Sequence, residues 1–203
     1  KEKNLATKVK LNTVKPRDTV RIGPFKVEFI RVSHSIPDAV ALAIETPIGT
    51  VVHTGDFKID QTPVDGEVTD FYRLAGLGER GVLVLMSDST NVERQGFTMS
   101  ERSVGNVLHE TFHQAKERII VATFASNVHR LQQVIHTAHE HNRKVAVIGR
   151  SMLNVVNIAS ELGYLKVPRG IIIEPDEANR LKSNRVVILC TGSQGEPMSA
   201  LTR

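Results

Sequence analysis

Arg118-Ile-Ile-Val-Ala-Thr-Phe-Ala-Ser-Asn127 is the stretch that decides the fold. A β-branched apolar run breaks into Ser126 and Asn127, two residue types that cap helices, and a helical apolar period then runs to about Glu140. The same unit recurs downstream. A strand over Lys144–Ile148 is followed by a helix over Met152–Leu162 that closes on Gly163. A strand over Gly170–Ile173, a short helix near Pro175–Leu181 and a strand over Arg185–Cys190 complete the series. Strand and helix alternating at this spacing imply parallel βαβ units, so the second half is expected to be a doubly wound α/β sheet with helices on both faces. Just upstream, Thr98-Met-Ser-Glu101 reads as a capping box, with Thr98 at the N-cap and Glu101 at N3. The helix it opens carries Val104, Val107, Leu108, Thr111, Phe112 and Ala115 on one face.

The first half has a different grain. Phe25-Lys-Val-Glu-Phe-Ile-Arg-Val32 alternates, which puts Phe25, Val27 and Phe29 on one face of a strand. Val40–Ile44 and Gly49–His53 flank the turn residues Thr46-Pro-Ile-Gly49, the mark of a hairpin. Gly81-Val-Leu-Val-Leu-Met86 is continuously apolar and is expected to be a strand buried on both faces. Two parts follow from this: a β-rich piece over residues 1–100 and an α/β piece over residues 101–203.

Composition narrows the class. The chain has 203 residues, 40% of them hydrophobic, enough for one sizeable core or two small ones. No stretch approaches the ~20 apolar residues of a membrane span. The lone Cys190 leaves no internal disulfide and suits a reducing, cytoplasmic setting. Residues 1–31 hold nine Lys/Arg against three acids, residues 32–100 four against ten, and residues 101–203 thirteen against nine. An acidic middle between basic flanks suits cations held beside a polyanion, although ordinary surface charge also produces it.

Ligands of a parallel α/β sheet bind beyond the carboxyl ends of its strands. Three such ends, Thr123-Phe-Ala-Ser-Asn127, Gly149-Arg-Ser151 and Thr191-Gly-Ser-Gln-Gly195, are rich in Gly, Ser or Asn. Each is expected to lead into a helix whose free amides face outward and take phosphate. That makes Ser126, Asn127, Arg150, Ser151, Gly192 and Ser193 candidate phosphate contacts, while capping alone would account for any one of them. The last loop lacks the Gly-Lys-Ser/Thr ending of a P-loop, which disfavours a nucleoside triphosphatase.

His34 and Asp56 each follow an apolar β-branched stretch where a strand runs out into a loop, and imidazole with carboxylate is a ligand pair for zinc or manganese. Two ligands do not complete a site. Asp88 ends the next apolar run and could orient a ligand or cap a turn. His53 is expected in the core or behind a ligand. His109-Glu-Thr-Phe-His113 matches the zincin pattern formally, but it sits inside a crossover helix, where no cleft is expected.

Ser-His34-Ser-Ile-Pro-Asp-Ala, His-Thr-Gly-Asp56-Phe-Lys, Ser-Asp88-Ser-Thr-Asn, Phe-Thr-Met-Ser-Glu-Arg, Ala-Thr-Phe-Ala-Ser-Asn-Val-His-Arg-Leu-Gln-Gln, Gly-Arg-Ser-Met and Cys-Thr-Gly-Ser-Gln-Gly-Glu-Pro-Met together resemble bacterial ribonuclease J. That family is a β-CASP group of metallo-β-lactamase-fold nucleases, and the likeness runs in order from Lys1 to Arg203. It implies the end of a metallo-β-lactamase lobe over residues 1–100 and part of a β-CASP domain over 101–203. It implies a two-zinc ribonuclease, with manganese or magnesium as alternatives, that cuts RNA internally and degrades it 5′ to 3′ in rRNA processing and mRNA decay. By resemblance His34 is a metal ligand and Asp56 the carboxylate that bridges both metals. Asp88 supports a ligand, and Ser126, Asn127 and Val128 hold RNA phosphate at a helix start. A homodimer or homotetramer, a possible RNA-degradation complex and no membrane partner are implied as well.

The chain departs from the family in one respect. The His-x-His-x-Asp-His stretch and the later histidine motifs have no counterpart between Lys1 and Arg203, and the chain lacks an initiator Met, as a piece cut from a longer protein would. Alone, the chain is therefore expected to bind little or no zinc and to leave RNA intact; a phosphate-binding module without catalysis is the alternative.

Overall fold

The structure, a computed structural model, describes residues 10–195 and 199–201. Two compact units divide these residues: one of 10–33, 38–59 and 68–96, the other of 34–37, 60–67, 97–195 and 199–201. Two short stretches of the first half, 34–37 and 60–67, thus group with the second unit.

The first unit is a five-stranded sheet of order β1-β2-β3-β4-β5. Its strands are β1 (Thr19–Ile22), β2 (Phe25–Arg31), β3 (Val40–Thr46), β4 (Gly49–His53) and β5 (Val84–Met86), with one helix, α1 (Phe71–Arg80). The first four form an antiparallel meander, and the expected hairpin pairs Thr46 with Gly49. Cross-strand partners Ile30 and Ala41, then Ala43 and Val52, share the face that packs against Leu74 and Leu77 of α1. Two alanines in the middle of that face leave room for the helix. The fully buried face of β2 is therefore the one bearing Glu28 and Ile30, whereas the expected face of Phe25, Val27 and Phe29 is its reverse.

The apolar run Gly81–Met86 yields β5, parallel to β4, but burial on both faces is not found. Leu85 is 63% exposed and Val84 and Met86 are about half exposed, so among the described residues neither face of this edge strand is covered.

The second unit is built on a parallel sheet of order β6-β9-β7-β8, from β6 (Ile119–Ala122), β7 (Lys144–Ile148), β8 (Ile172–Ile173) and β9 (Val186–Cys190). Around it lie α2 (Glu101–Gln114), α3 (Val128–Glu140), α4 (Arg150–Glu161) and α5 (Pro175–Ala178). The chain steps from β6 to β7 to β8 in one direction and then returns to place β9 between β6 and β7. Right-handed crossovers then put α3 and α4 on one face and α5 on the other. The side chains agree: Val145, Val147, Val187 and Leu189 pack with Phe112, Leu131, Ile135 and Met152, while Ala146, Val186 and Ile173 pack with Ala178. This is the doubly wound arrangement, with a thin second face on which Ile120 remains more than half exposed.

The capping of α2 differs from expectation. Ser100, not Thr98, is the N-cap and accepts from the Arg102 amide at 3.3 Å, while the buried Asp60 carboxylate accepts from the Glu101 amide at 3.1 Å. Glu101 does not reach back to a cap because its carboxylate is taken by both arms of the Arg130 guanidinium on α3.

Candidate functional site

Parallel register brings Ala122, Cys190 and Ile148, the last paired residues of β6, β9 and β7, side by side. The loops that follow them therefore leave one edge of the second unit together, as the strand-end reading requires. Their backbones are not equivalent.

At α3 the outward-facing amides that were expected are engaged. The Val128 amide donates to Ser126 O at 2.9 Å, that of His129 to Ser35 O at 3.4 Å, and that of Arg130 to Asn127 Oδ1 at 3.0 Å. The Val128 side chain is core. Ser126 is exposed, and Asn127 is the helix cap. Of these bonds the one to Ser35 is the longest, so it is the one an anion would displace most easily.

The start of α4 is the open one. Its N-cap is Gly149 at φ 106°, with no side-chain cap, and among the described residues no acceptor outside the helix is recorded for the Arg150, Ser151 or Met152 amides. Arg150 and Ser151 are exposed, so a guanidinium, a hydroxyl and unsatisfied helix-start amides share one spot.

Beyond β9, Gly192 has φ 124°, and a Cβ there would sit 2.7 Å from Ser199 Oγ and Leu201 Cβ. The Leu201 amide donates to Thr191 O at 3.1 Å, and Ala200 Cβ lies 3.5 Å from where a Gly149 Cβ would be. Residues 199–201 thus fold back over the Thr191 loop and the cap of α4. Ser193 is exposed and Gly195 closes a turn onto Gly192 O at 3.0 Å. A helix directly after this loop, which was expected, does not form in the described residues through Gly195; residues 196–198 lie outside them.

In the first unit Asp56 and Asp88 follow the carboxyl ends of the parallel neighbours β4 and β5. Thr54 ties the two loops: its amide donates to Met86 O at 3.0 Å and its Oγ1 accepts from the Asp88 amide at 2.9 Å. Gly55 has φ 60°, and a Cβ there would come within 2.8 Å of Val40 O, which is why His-Thr-Gly-Asp needs its glycine. Asp56 is exposed; Asp88 is half-buried, and its Oδ1 accepts from the Thr90 amide at 2.9 Å, a turn cap. His53, expected inside, is exposed at the end of β4, with Nδ1 accepting from the Gly55 amide at 3.0 Å.

His34 groups with the second unit, and its Nε2 lies 3.4 Å from Ser35 Oγ. Its neighbour Ser33 bridges to Lys58 in the first unit, the Lys58 amide donating to Ser33 O at 2.8 Å. Among the described residues no group of three or more His, Cys, Asp or Glu side chains is placed to hold a metal ion. His34 and Asp56 are two donors where a first-row metal takes about four, so this ligand set does not make a metal centre by itself. His109 and His113 are exposed on α2, where the ring of His141 packs at 4.7 Å and 6.2 Å from theirs. Burial first, and then His109 and His113, hold the His141 imidazole below its ordinary pKa. No helix among the described residues is long and apolar enough to cross a membrane.

Sequence reading missed the parts played by Thr54 and Asp60. A threonine directly after a strand, and an aspartate two residues ahead of Thr62, whose amide it takes at 2.9 Å, were the available signals.

Residues 116–203 match the family model described as "Ribonuclease J, beta-CASP domain". The chain is 52% identical over its whole length to a protein named Ribonuclease J from Synechocystis sp., of which it covers 32%. Against the Ribonuclease J of Helicobacter pylori (strain J99) it is 50% identical over 94% of the chain and 28% of that protein, and against that of Thermus thermophilus 47% over 95% and 34%. The chain thus spans about a third of the length of these relatives. A crystal structure of a protein of unknown function from Enterococcus faecalis superposes with a TM-score of 0.65 at 17% identity, covering 91% of this chain and 46% of that one, which shows the fold alone. With its α/β sheet matching the β-CASP model and its full length aligned to these relatives, the chain belongs to the ribonuclease J family.

Proposed function

We propose that the chain is the phosphate-gripping section of a ribonuclease and that it contributes two ligands to that enzyme's metal centre. The observation that carries the first part is the in-register ending of β6, β9 and β7, with the uncapped start of α4 and Arg150 beside the Thr191 loop. Free helix-start amides and a guanidinium take phosphate oxygens without reading a base, as a processive or broadly acting nuclease needs. The likeness to proteins named Ribonuclease J supports RNA as the polymer held. In the whole protein the proposed reaction is phosphodiester hydrolysis, internal and 5′ to 3′, leaving 5′-phosphate and 3′-hydroxyl ends.

His34 and Asp56 are the proposed ligands of a two-zinc centre, manganese or magnesium being alternatives, and Asp88 is proposed to position a ligand. Their substitution in the whole protein, His34→Ala or Asp56→Ala, is expected to lower bound metal and abolish cleavage together. Unchanged metal content with full turnover in both variants would refute the assignment. For the phosphate grip, Arg150→Ala is expected to weaken RNA binding uniformly across sequences and to lower the salt slope by about one phosphate contact. An unchanged slope would refute it.

The shortage of metal donors favours a second reading for the chain on its own: an RNA-binding module without catalysis. Binding that persists in EDTA, falls steeply with salt and produces no cleavage would bear this out; robust cleavage by the isolated 203-residue chain would overturn it.

A further inference from the structure

The opposite, amino edge of the second unit's sheet carries charge that nothing so far explains. A cleft of about 160 Å³ opens there, lined by His139, Asn142, Arg143, Lys144, Arg169 and Arg185. Arg143 and Lys144 stand at the start of β7, Arg185 directly before β9 and Arg169 in the loop that leads to β8. Since β9, β7 and β8 are parallel neighbours, residues scattered through the sequence are gathered at one end.

Arg143 is the unusual member, only 4% exposed. Its Nη1 donates to Glu117 O at 2.9 Å and its Nη2 to Ala115 O at 2.5 Å, so the guanidinium is pinned rather than free to swing into solvent. The Lys144 ammonium donates to Gly170 O at 2.5 Å. Among the described residues none of the four cations is ion-paired with a carboxylate. Burial, and after it the like charge of Arg185, push the Arg143 pKa down, and no acid opposes them. Holding a buried guanidinium beside a second one is unfavourable until an anion joins them.

We propose that this cleft is a second anion site, which takes the phosphate or diphosphate group of a nucleotide-sized ligand. The cleft has room for a phosphate group and not for a packed polypeptide segment. The Arg143 Nη atoms are held by the Glu117 and Ala115 carbonyls and fix its charge in place, so the planar forks offered to phosphate oxygens in pairs are those of the exposed Arg169 and Arg185. The site lies at the other end of the strands from the Thr191 and Gly149 loops, so it is distinct from the proposed RNA grip. A free nucleotide and the 5′-phosphate of a short RNA present the same chemistry.

The test is calorimetric titration of the intact protein with pyrophosphate and with adenosine 5′-monophosphate. Arg169→Glu and Arg185→Glu, both at exposed positions, are expected to weaken pyrophosphate binding by about tenfold or more each, the effect of one lost charged contact. Arg180→Glu makes the same charge change at an exposed site outside the cleft and is expected to leave affinity unchanged. Oligonucleotides with and without a 5′-phosphate separate the two sources: a requirement for the terminal phosphate, or binding of the free nucleotide, supports the site. Absence of pyrophosphate binding, an equal loss in Arg180→Glu, or pyrophosphate affinity unchanged in both Arg169→Glu and Arg185→Glu would overturn it.

Discussion

Replacing Arg73 by methionine should loosen the sheet that carries Asp56 and Asp88. Glu28 is 7% exposed on the α1 face of β2, and its carboxylate takes Arg73 Nε at 2.5 Å and Nη2 at 2.7 Å. Removing one partner of a buried pair costs roughly 3–5 kcal/mol, because an uncompensated charge is left behind. The Arg73 side chain is 34% exposed, so water already screens part of the pair and the expected loss falls to about 2–3 kcal/mol. In a unit of this size that is a drop of roughly 10–20 °C in the midpoint of melting. The double variant Glu28→Gln/Arg73→Met should recover most of it, since it leaves no buried charge. Hydrogen exchange of residues 26–46 under increasing urea reads this unit alone. The pH dependence has a definite sign. The hydrogen bond from Arg73, opposed by burial, holds Glu28 below its ordinary pKa of 4.5. The pair's contribution is therefore full above about pH 4.5 and is lost as pH falls through the lower folded-state value. Protection in Arg73→Met within about 0.5 kcal/mol of the parent would refute the reasoning.

Gly55→Ala forces a side chain onto Val40 O at φ 60°; strain of about 1–2 kcal/mol and a shifted Asp56 should lower turnover of the whole protein, and unchanged kinetics would exclude that role for the loop. Leu131→Ala, at a fully buried site on α3, should cost about 2–5 kcal/mol in urea unfolding of the second unit, and a loss below about 1 kcal/mol would mean that the α2–α3–α4 layer is not the core. His141 has its folded pKa depressed below 6.5, so stability should decline as pH falls through that value towards the folded one. His141→Phe should flatten the profile between pH 8 and pH 5, and parallel profiles would dismiss the imidazole as its source.

The α/β half was legible because strands buried on two faces leave runs such as Lys144–Ile148, punctuated by Asn127 and Gly163, and those positions recur as boundaries or caps. Helix α1 was not anticipated: Gly76 and Gly78 break its pattern, and Leu77 is its one buried residue. The apolar run ending at Met86 announced a strand correctly, but a run says nothing about what covers it or which way its partner runs. The strand-end loops could be read from their glycines, Gly149, Gly192 and Gly195, all of which hold positive φ. Whether an amide there is free could not, since the bond that engages His129 comes from Ser35, far away in the chain. The basic cleft was invisible for the same reason: the pairing of β8 with β7 brings Arg169 to Arg143, and the return of β9 into the middle of the sheet adds Arg185.

That central placement of β9 dictates the timetable of folding on the ribosome. β6 and β7 do not bond to each other; β7 can pair with β8 as soon as that strand is made, but β6 must wait for β9, the last of these four to be synthesised. Until Cys190 has cleared the exit tunnel, the nascent chain carries two apolar strands with bare edges and helices already pressed against one side. Synthesis rate and chaperone cover through residues 145–190 thus govern how much of this protein escapes misassembly.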